Sequence, residues 1–388
     1  MVSAKIASVR LTRVSIPLNM VYASSMYIMQ KTERTVIELR TEGGATGIGE
    51  SWGTPEAFAL AAKLAQAWIG RDALDRFALK RAFVKNSFEN RSGRNGLAAF
   101  AGMDLAAWDA AGRTLGLPLA DLIGAKHRDS VEVVTPLPAA IVASAVPRAE
   151  LQAHMDDLGN AKKVVDFALE QKQRHGFACF KYKSAAWSPD WDWAVLSQLR
   201  EALPDARIRF DPNAAYAPAT AIELCRRLDA LKLEFFEDPT GELEGIARLR
   251  AAVKTPVATN MWVVQDPQLA PAIRRQAVDV LLADIFMWGG LDAWRRMARV
   301  APQFGMQPAL HSIFETGIAT VANLHIAAAL PQVRHANDAG LHFLADDVLA
   351  DAPAIVGGRM ALPRGPGLGV QIDAGRLRNL ALETREIH

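Results

Sequence analysis

Three oxygen-bearing side chains, Asp211, Glu237 and Asn260, each close a short apolar run: IRFDPN, LEFFEDP and TPVATN. They stand 26 and 23 residues apart, the length of one strand plus one helix each time. Consecutive strands of a parallel α/β barrel would deliver such residues to a single rim. Oxygen-only donors suit a hard cation such as Mg2+. Asp, Asn and Pro also favour simple strand-end turns, so one motif alone says little. Three in register carry the metal reading.

The surrounding chain fits the same scheme. Between residues 128 and 345 the pattern alternates strand and helix. Candidate strands cover 131–139, 176–183, 207–211, 233–238, 255–260, 278–284, 307–312 and 334–338. Eight such units predict a (β/α)8 TIM barrel. The runs are continuously apolar, as in a parallel sheet covered by helices on its faces. An open doubly wound sheet is the competing architecture.

Residues 1–127 read as a separate α+β domain. Alternation in IASVRLTRVSIPL and RTVIELRTEGGATGIGES predicts antiparallel strands, the latter pair turned at Glu42-Gly43-Gly44. A helix is predicted over 95–116, where Leu97, Phe100, Ala101, Asp104, Leu105 and Trp108 recur at helical spacing and Gly116 with Pro118 ends it. The tail, 346–388, is rich in Gly and Pro and is expected to pack back on the N-terminal domain.

Composition narrows the class. Half of the 388 residues are hydrophobic, 22% are charged and the formal net charge is +2. Charge alone therefore gives no case for nucleic acid or an acidic membrane as partner. Cys179 and Cys225 lack metal or disulfide spacing. No leader-like apolar core and no uncharged span of about 18 residues is present. A cytoplasmic enzyme with a small-molecule substrate is the expectation.

Polar residues gather where the candidate strands end, the rim that carries active sites in barrels. Strand two ends Lys181-Tyr182-Lys183. Alternation turns both lysines to the pocket and Tyr182 outward. A lysine beside a divalent cation and a second ammonium gives up its proton more easily, so one can serve as a base. Strand six ends at Asp284 and strand seven at His311. A carboxylate on one imidazole nitrogen would leave the other free as a base. Lys183 and His311 would then address opposite faces of one substrate, a two-base arrangement for proton transfer at carbon.

These residues resemble the enolase superfamily, and within it the glucarate dehydratase-related subgroup of mandelate racemase/muconate lactonizing enzyme-like proteins. The resemblance rests on Lys181-x-Lys183, Asp211-Pro212-Asn213, Glu237-Asp238-Pro239, Asn260 as third ligand, the Asp284 and His311-Ser312 pair, and Asp338 after strand eight. It implies an N-terminal capping domain, Mg2+ on Asp211, Glu237 and Asn260, and bases at Lys183 and His311, with Asp284 orienting the imidazole. Lys181 would stabilise an enolate, and Asn213, Ser312 and Asp338 would lie near substrate. The implied reaction is dehydration of an acid sugar or other 2,3-dihydroxy acid to a 2-keto acid, in a homo-oligomer. A racemase or epimerase using the same bases and a non-catalytic metal-binding relative are the alternatives. Two departures set this chain apart. The loop 18–30, expected to cap the mouth, has Asn19 but no His and no charge, with three methionines and two tyrosines. The stretch after His311 reads Ser312-Ile313-Phe314-Glu315 where the subgroup is polar and Asn-rich.

Overall fold

The computed structural model describes residues 3–86, 93–141, 158–184, 186, 188–312 and 314–388. Strands β1 (Ile6–Ala23), β2 (Ile28–Thr41) and β3 (Thr46–Trp52) form an antiparallel meander, extended by the last strand of the chain, β14 (Ala381–Ile387), on β1. The turn between β2 and β3 falls at Glu42–Gly44, and Gly44 has a φ of +89° that suits a residue without a Cβ.

Helix Arg94–Leu115 lies against β3 and ends at Gly116 in the left-handed conformation. Gly47 and Gly49 allow that close approach, because a Cβ on Gly47 would meet Ala106 O at 2.0 Å. The helix is buried from Gly96 to Gly112 on every side, not on one stripe. Ala and Gly fill the faces between the larger apolar residues, so the sheet, the neighbouring helices and the barrel all pack on it.

The barrel strands are β4 (Ser130–Leu137), β5 (Cys179–Lys183), β6 (Arg207–Asp211), β7 (Phe235–Glu237), β8 (Val257–Thr259), β9 (Val280–Ala283), β10 (Gln307–Leu310) and β11 (Asn337–Asp338). Parallel ladders join β4 through β10 in chain order, and β11 returns to pair with β4. All eight candidate strands are present but most are trimmed. Asn260, Asp284 and His311 fall one residue past their ladders, where the chain has begun to turn. The tail contributes β12 (Ile355–Val356) and β13 (Arg359–Ala361), and β13 pairs antiparallel with β4 before the chain reaches β14.

Buried carboxylates of the N-terminal domain fasten it to the barrel. Glu50 on β3 accepts from Thr316 N–H at 3.0 Å, Thr316 Oγ1 at 2.6 Å and Ala319 N–H at 3.1 Å, capping helix Gly317–Ala329. Asp104 accepts from Leu291 N–H at 3.0 Å, serving a helix whose own N-cap, Gly290, has no side chain. That explains an acid on the buried face of the Arg94–Leu115 helix. Among the described residues no helix is long and apolar enough to cross a membrane.

The stretch 18–30 is not a loop. Residues 18–23 continue β1 and 28–30 begin β2, with Tyr22 opposite Met29 and Ala23 opposite Ile28. Alternating apolar side chains let the two strands pair to a short tip at 24–27. The tip docks on the barrel: Ser25 N–H donates to Ser184 O and Ser25 Oγ to Pro212 O, each at 2.9 Å.

Candidate active site at the barrel mouth

Strand alternation sets the first two side chains. Lys181 and Lys183 both turn inward at the end of β5 and are buried. Tyr182 turns to the helical layer, where its hydroxyl meets Asp192 at 3.3 Å. Lys183 Nζ donates to Asp211 Oδ2 on the adjacent strand at 2.5 Å. Lys181 Nζ donates to Asp338 Oδ2 and lies 3.3 Å from Glu237 Oε1 and 4.0 Å from Asp211 Oδ2. Two ammonium groups therefore sit among three carboxylates.

The charges answer one another. Burial alone would favour neutral amines, but Asp338 and Glu237 outweigh it at Lys181, and Asp211 does so at Lys183. Both lysines are held above their ordinary range by the carboxylates beside them. Burial raises Asp211 too, yet Lys183 and Lys181 bring it below the usual carboxylate range. Asp338 is lowered against burial by Lys181, His311 and Arg209. Glu237 goes the other way, pushed well up by burial and then by the Asp211 charge.

The third expected ligand, Asn260, donates its backbone N–H to Asp238 Oδ2 at 2.8 Å. Its side-chain Nδ2 lies 2.5 Å from His311 Nε2. His311 Nδ1 lies 3.6 Å from Asp284 Oδ2, beyond hydrogen-bond range. The expected pair is thus brought face to face, and among the described residues neither of these two buried atoms has another hydrogen-bond partner. The turn after β9 holds the other oxygen: Asp284 Oδ1 accepts from the N–H groups of Phe286 at 2.6 Å and Met287 at 3.1 Å.

Asn213, at φ +53°, donates its backbone N–H to Asp211 Oδ1 at 2.9 Å and fixes that carboxylate. Ser312 Oγ donates to Glu315, so this serine is engaged within its own turn.

The donor set fits a hard cation. Glu237 Oε2 and Asn260 Oδ1 are buried and make no hydrogen bond, although Lys181 Nζ is 3.2 Å from the glutamate oxygen. Buried oxygens in that condition suit an ion that wants oxygen ligands. A second grouping overlaps this set: ligand atoms of Glu237, His311 and Asp338 lie within 4.8 Å of one another. Asp338 already serves Lys181 and Arg209, which leaves the oxygen-rich set the better fit.

Two cavities open over these groups and share Tyr27 and Lys183. The larger, about 120 Å³, is lined by Lys183, Asn213, Asn260 and His311 from the barrel, with Met261 and Met287 beside them. Met26, Tyr27, Trp52 and Arg94 close it from the N-terminal domain. The smaller is lined by Lys181, Ser312, Asp338 and Tyr22 among others. The hairpin at 18–30 therefore supplies cavity wall from its tip.

Sequence reasoning missed Arg209. It is fully buried inside the barrel, with Nε donating to Glu234 Oε2 at 2.7 Å, Nη1 to Asp338 Oδ1 at 3.2 Å and Nη2 to Ala336 O at 2.9 Å. The signal was present in RIRFD, because Arg209 lies two residues before Asp211 and alternation gives them the same face. The apolar neighbours drew the eye to the strand and away from the charge.

A closed parallel strand order with acids and bases at the C-terminal rim places the chain among the barrel enzymes. Within that class it belongs to the enolase superfamily's mandelate racemase/muconate lactonizing enzyme group. Residues 2–124 match the mandelate racemase/muconate lactonizing enzyme N-terminal domain and residues 163–376 the enolase C-terminal domain-like family. A probable glucarate dehydratase of Streptomyces coelicolor is 33% identical over 89% of this chain and 84% of that protein. A chloromuconate cycloisomerase of Cupriavidus pinatubonensis is 26% identical over 95% and 96%. An enolase structure from Thermobispora bispora, complexed with magnesium and formate, superposes with a TM-score of 0.88 at 30% identity, over 97% of this chain and 92% of that one.

Proposed function

We propose that this enzyme removes the proton alpha to a substrate carboxylate and, where a β-hydroxyl is present, expels it as water to give a 2-keto acid. One observation carries the reading: Lys183 and His311 line the same cavity from the ends of β5 and β10, strands separated around the sheet by four others, three of which lead to Asp211, Glu237 and Asn260. A base from each side can reach a carbon held between them.

Mg2+, held by Asp211, Glu237 and Asn260, would supply positive charge against which the enediolate develops. The Lys181 ammonium adds to it from the other side and is itself fixed by Asp338. Lys183 or His311 takes the alpha proton; the one that acts must begin neutral, and His311 lines the cavity with its Nε2 2.5 Å from the Asn260 amide nitrogen. The imidazolium so formed donates its proton to the departing β-hydroxyl, and the enol product tautomerises to the ketone. Met26 and Tyr27 of the hairpin tip, with Trp52, wall the cavity from the N-terminal domain.

The relationship to a probable glucarate dehydratase supports dehydration, while the cycloisomerase relative shows that a different reaction type occurs among proteins similar to this one. The test is a set of acid sugars and 2-hydroxy carboxylates with Mg2+, followed for 2-keto acid and for α-deuterium exchange together. Both should appear for one substrate class and vanish in His311→Asn. Exchange without keto acid would make the enzyme a racemase or epimerase. Activity untouched in His311→Asn would remove that residue from the reaction.

A further inference from the structure

The larger cavity carries a charge that proton abstraction does not use. Arg94 begins the long helix of the N-terminal domain, is exposed, and reaches the cavity wall. Among the described residues no carboxylate, carbonyl or ring partners its guanidinium. Among the described residues no Asp or Glu lines this cavity, so its formal charges are Lys183 and Arg94. Asp211 on the adjacent strand already satisfies the Lys183 end. The guanidinium at the other domain has nothing comparable, and its planar fork matches a carboxylate.

Tyr27, Asn213, Asn260 and His311 give the cavity some hydrogen-bonding groups, but Met26, Met261 and Met287, with the ring of Trp52, make up an apolar part of its wall. Hydroxyls of a sugar chain laid against thioethers would lose water without gaining partners. Methylenes would not.

We propose that Arg94 selects a dicarboxylate. One carboxylate goes to the reacting end beside Lys183, the second to Arg94, and a methylene-rich, sparsely hydroxylated middle lies against the methionines. This inference rests on the reading of the site as one for a carboxylate carbon acid, and it names the substrate class of that site.

Calorimetric binding to the full-length, Mg2+-loaded enzyme tests it without turnover. The probes are 2-hydroxyglutarate and 2-hydroxyadipate, each beside its ω-monoamide, which keeps shape and removes the distal charge. The wild-type protein should bind at least one diacid about tenfold more tightly than its amide, the size expected of a charge-assisted pair that is partly solvated. Arg94→Met should bring that ratio close to one and Arg94→Lys should keep part of it. Arg94 is exposed, so neither substitution disturbs the core. Equal binding of acid and amide, a ratio unaffected by Arg94→Met, or no binding of either diacid would overturn the assignment. Absence of deuterium exchange in diacids that do bind would count against the proposed reaction and leave the Arg94 contact standing.

Discussion

Arg209 and Asp338 meet inside the barrel, with guanidinium Nη1 3.2 Å from carboxylate Oδ1 and both side chains shielded from water. The other oxygen of Asp338 holds Lys181, and the other side of the guanidinium holds Glu234. A chain of alternating charge thus runs from the lower part of the barrel to the ammonium at its mouth. Each buried charge in it is matched, and removing one exposes the rest.

Arg209→Met should therefore be strongly destabilising. It leaves Asp338 and Glu234 buried beside a thioether, and losing one partner of a buried pair costs about 3–5 kcal/mol. Arg209→Lys should recover only part, because an ammonium cannot reach both carboxylates and the Ala336 carbonyl in one plane. Denaturant midpoints measure both. A methionine variant as stable as wild type would show that the chain carries no energetic weight.

Asn260→Asp tests the charge of the ligand set. Asp211 and Glu237 balance a divalent cation, and a third acid would face the incoming carboxylate with excess negative charge. At about 4 Å and an effective dielectric of about 20, one unit charge is worth roughly 4 kcal/mol. A carboxylate 2.5 Å from His311 Nε2 would also hold the imidazole protonated. The variant should keep Mg2+ while kcat falls by about two to three orders of magnitude. Unchanged kcat with bound Mg2+ would sink the argument.

Metal removal has a readout apart from catalysis. Glu237 and Asp211 oppose each other in the folded protein, so an ion that binds only the native state should raise its Tm. Mg2+ at about 100 times its Kd adds about 2.7 kcal/mol. Chelation should reverse the rise. Asp211→Asn together with Glu237→Gln should abolish it, and a Mg2+ shift that survives in that double variant would place the ion elsewhere.

The pH dependence of stability should carry a signature of Glu50. Burial, partly offset by Arg34 and Thr316, pushes its carboxyl up to about 7 from an ordinary value of 4.5. The folded state then holds a proton that the unfolded chain releases earlier. Stability from this group is complete below about pH 4.5 and is lost as pH rises towards 7, by up to about 3 kcal/mol. The Tm of wild type relative to Glu50→Gln should fall across that interval. A difference that stays flat would mean that Glu50 ionises freely where it lies.

Much of this was written locally. Repeating apolar runs, each closed by a polar residue, are a strand-and-turn code that survives without context, and they placed Asp211, Glu237, Asn260, Asp284 and His311 one after another at the rim. The strand period of two set Lys181 and Lys183 on one face. Gly116 and Pro118 marked a helix end because their backbone limits are intrinsic.

Other features depended on partners far along the chain. Helix Arg94–Leu115 looked amphipathic because periodicity sees large residues, and only packing revealed that its alanines face neighbours too. Asp104 and Glu50 acquired their roles from helix N-termini about 190 and 270 residues away. Asp284 uses its two oxygens differently, Oδ1 for the amides of its own turn and Oδ2 facing His311, a division that only the folded turn sets. The tip at 24–27 became cavity wall because β1 and β2 extend beyond their sheet and rest on Ser184 and Pro212. Sequence by itself determined which residues stand at strand ends, since alternation and turn chemistry act over a few bonds. Tertiary structure alone decided which charges neutralise one another, because electrostatic partnership depends on distance through space.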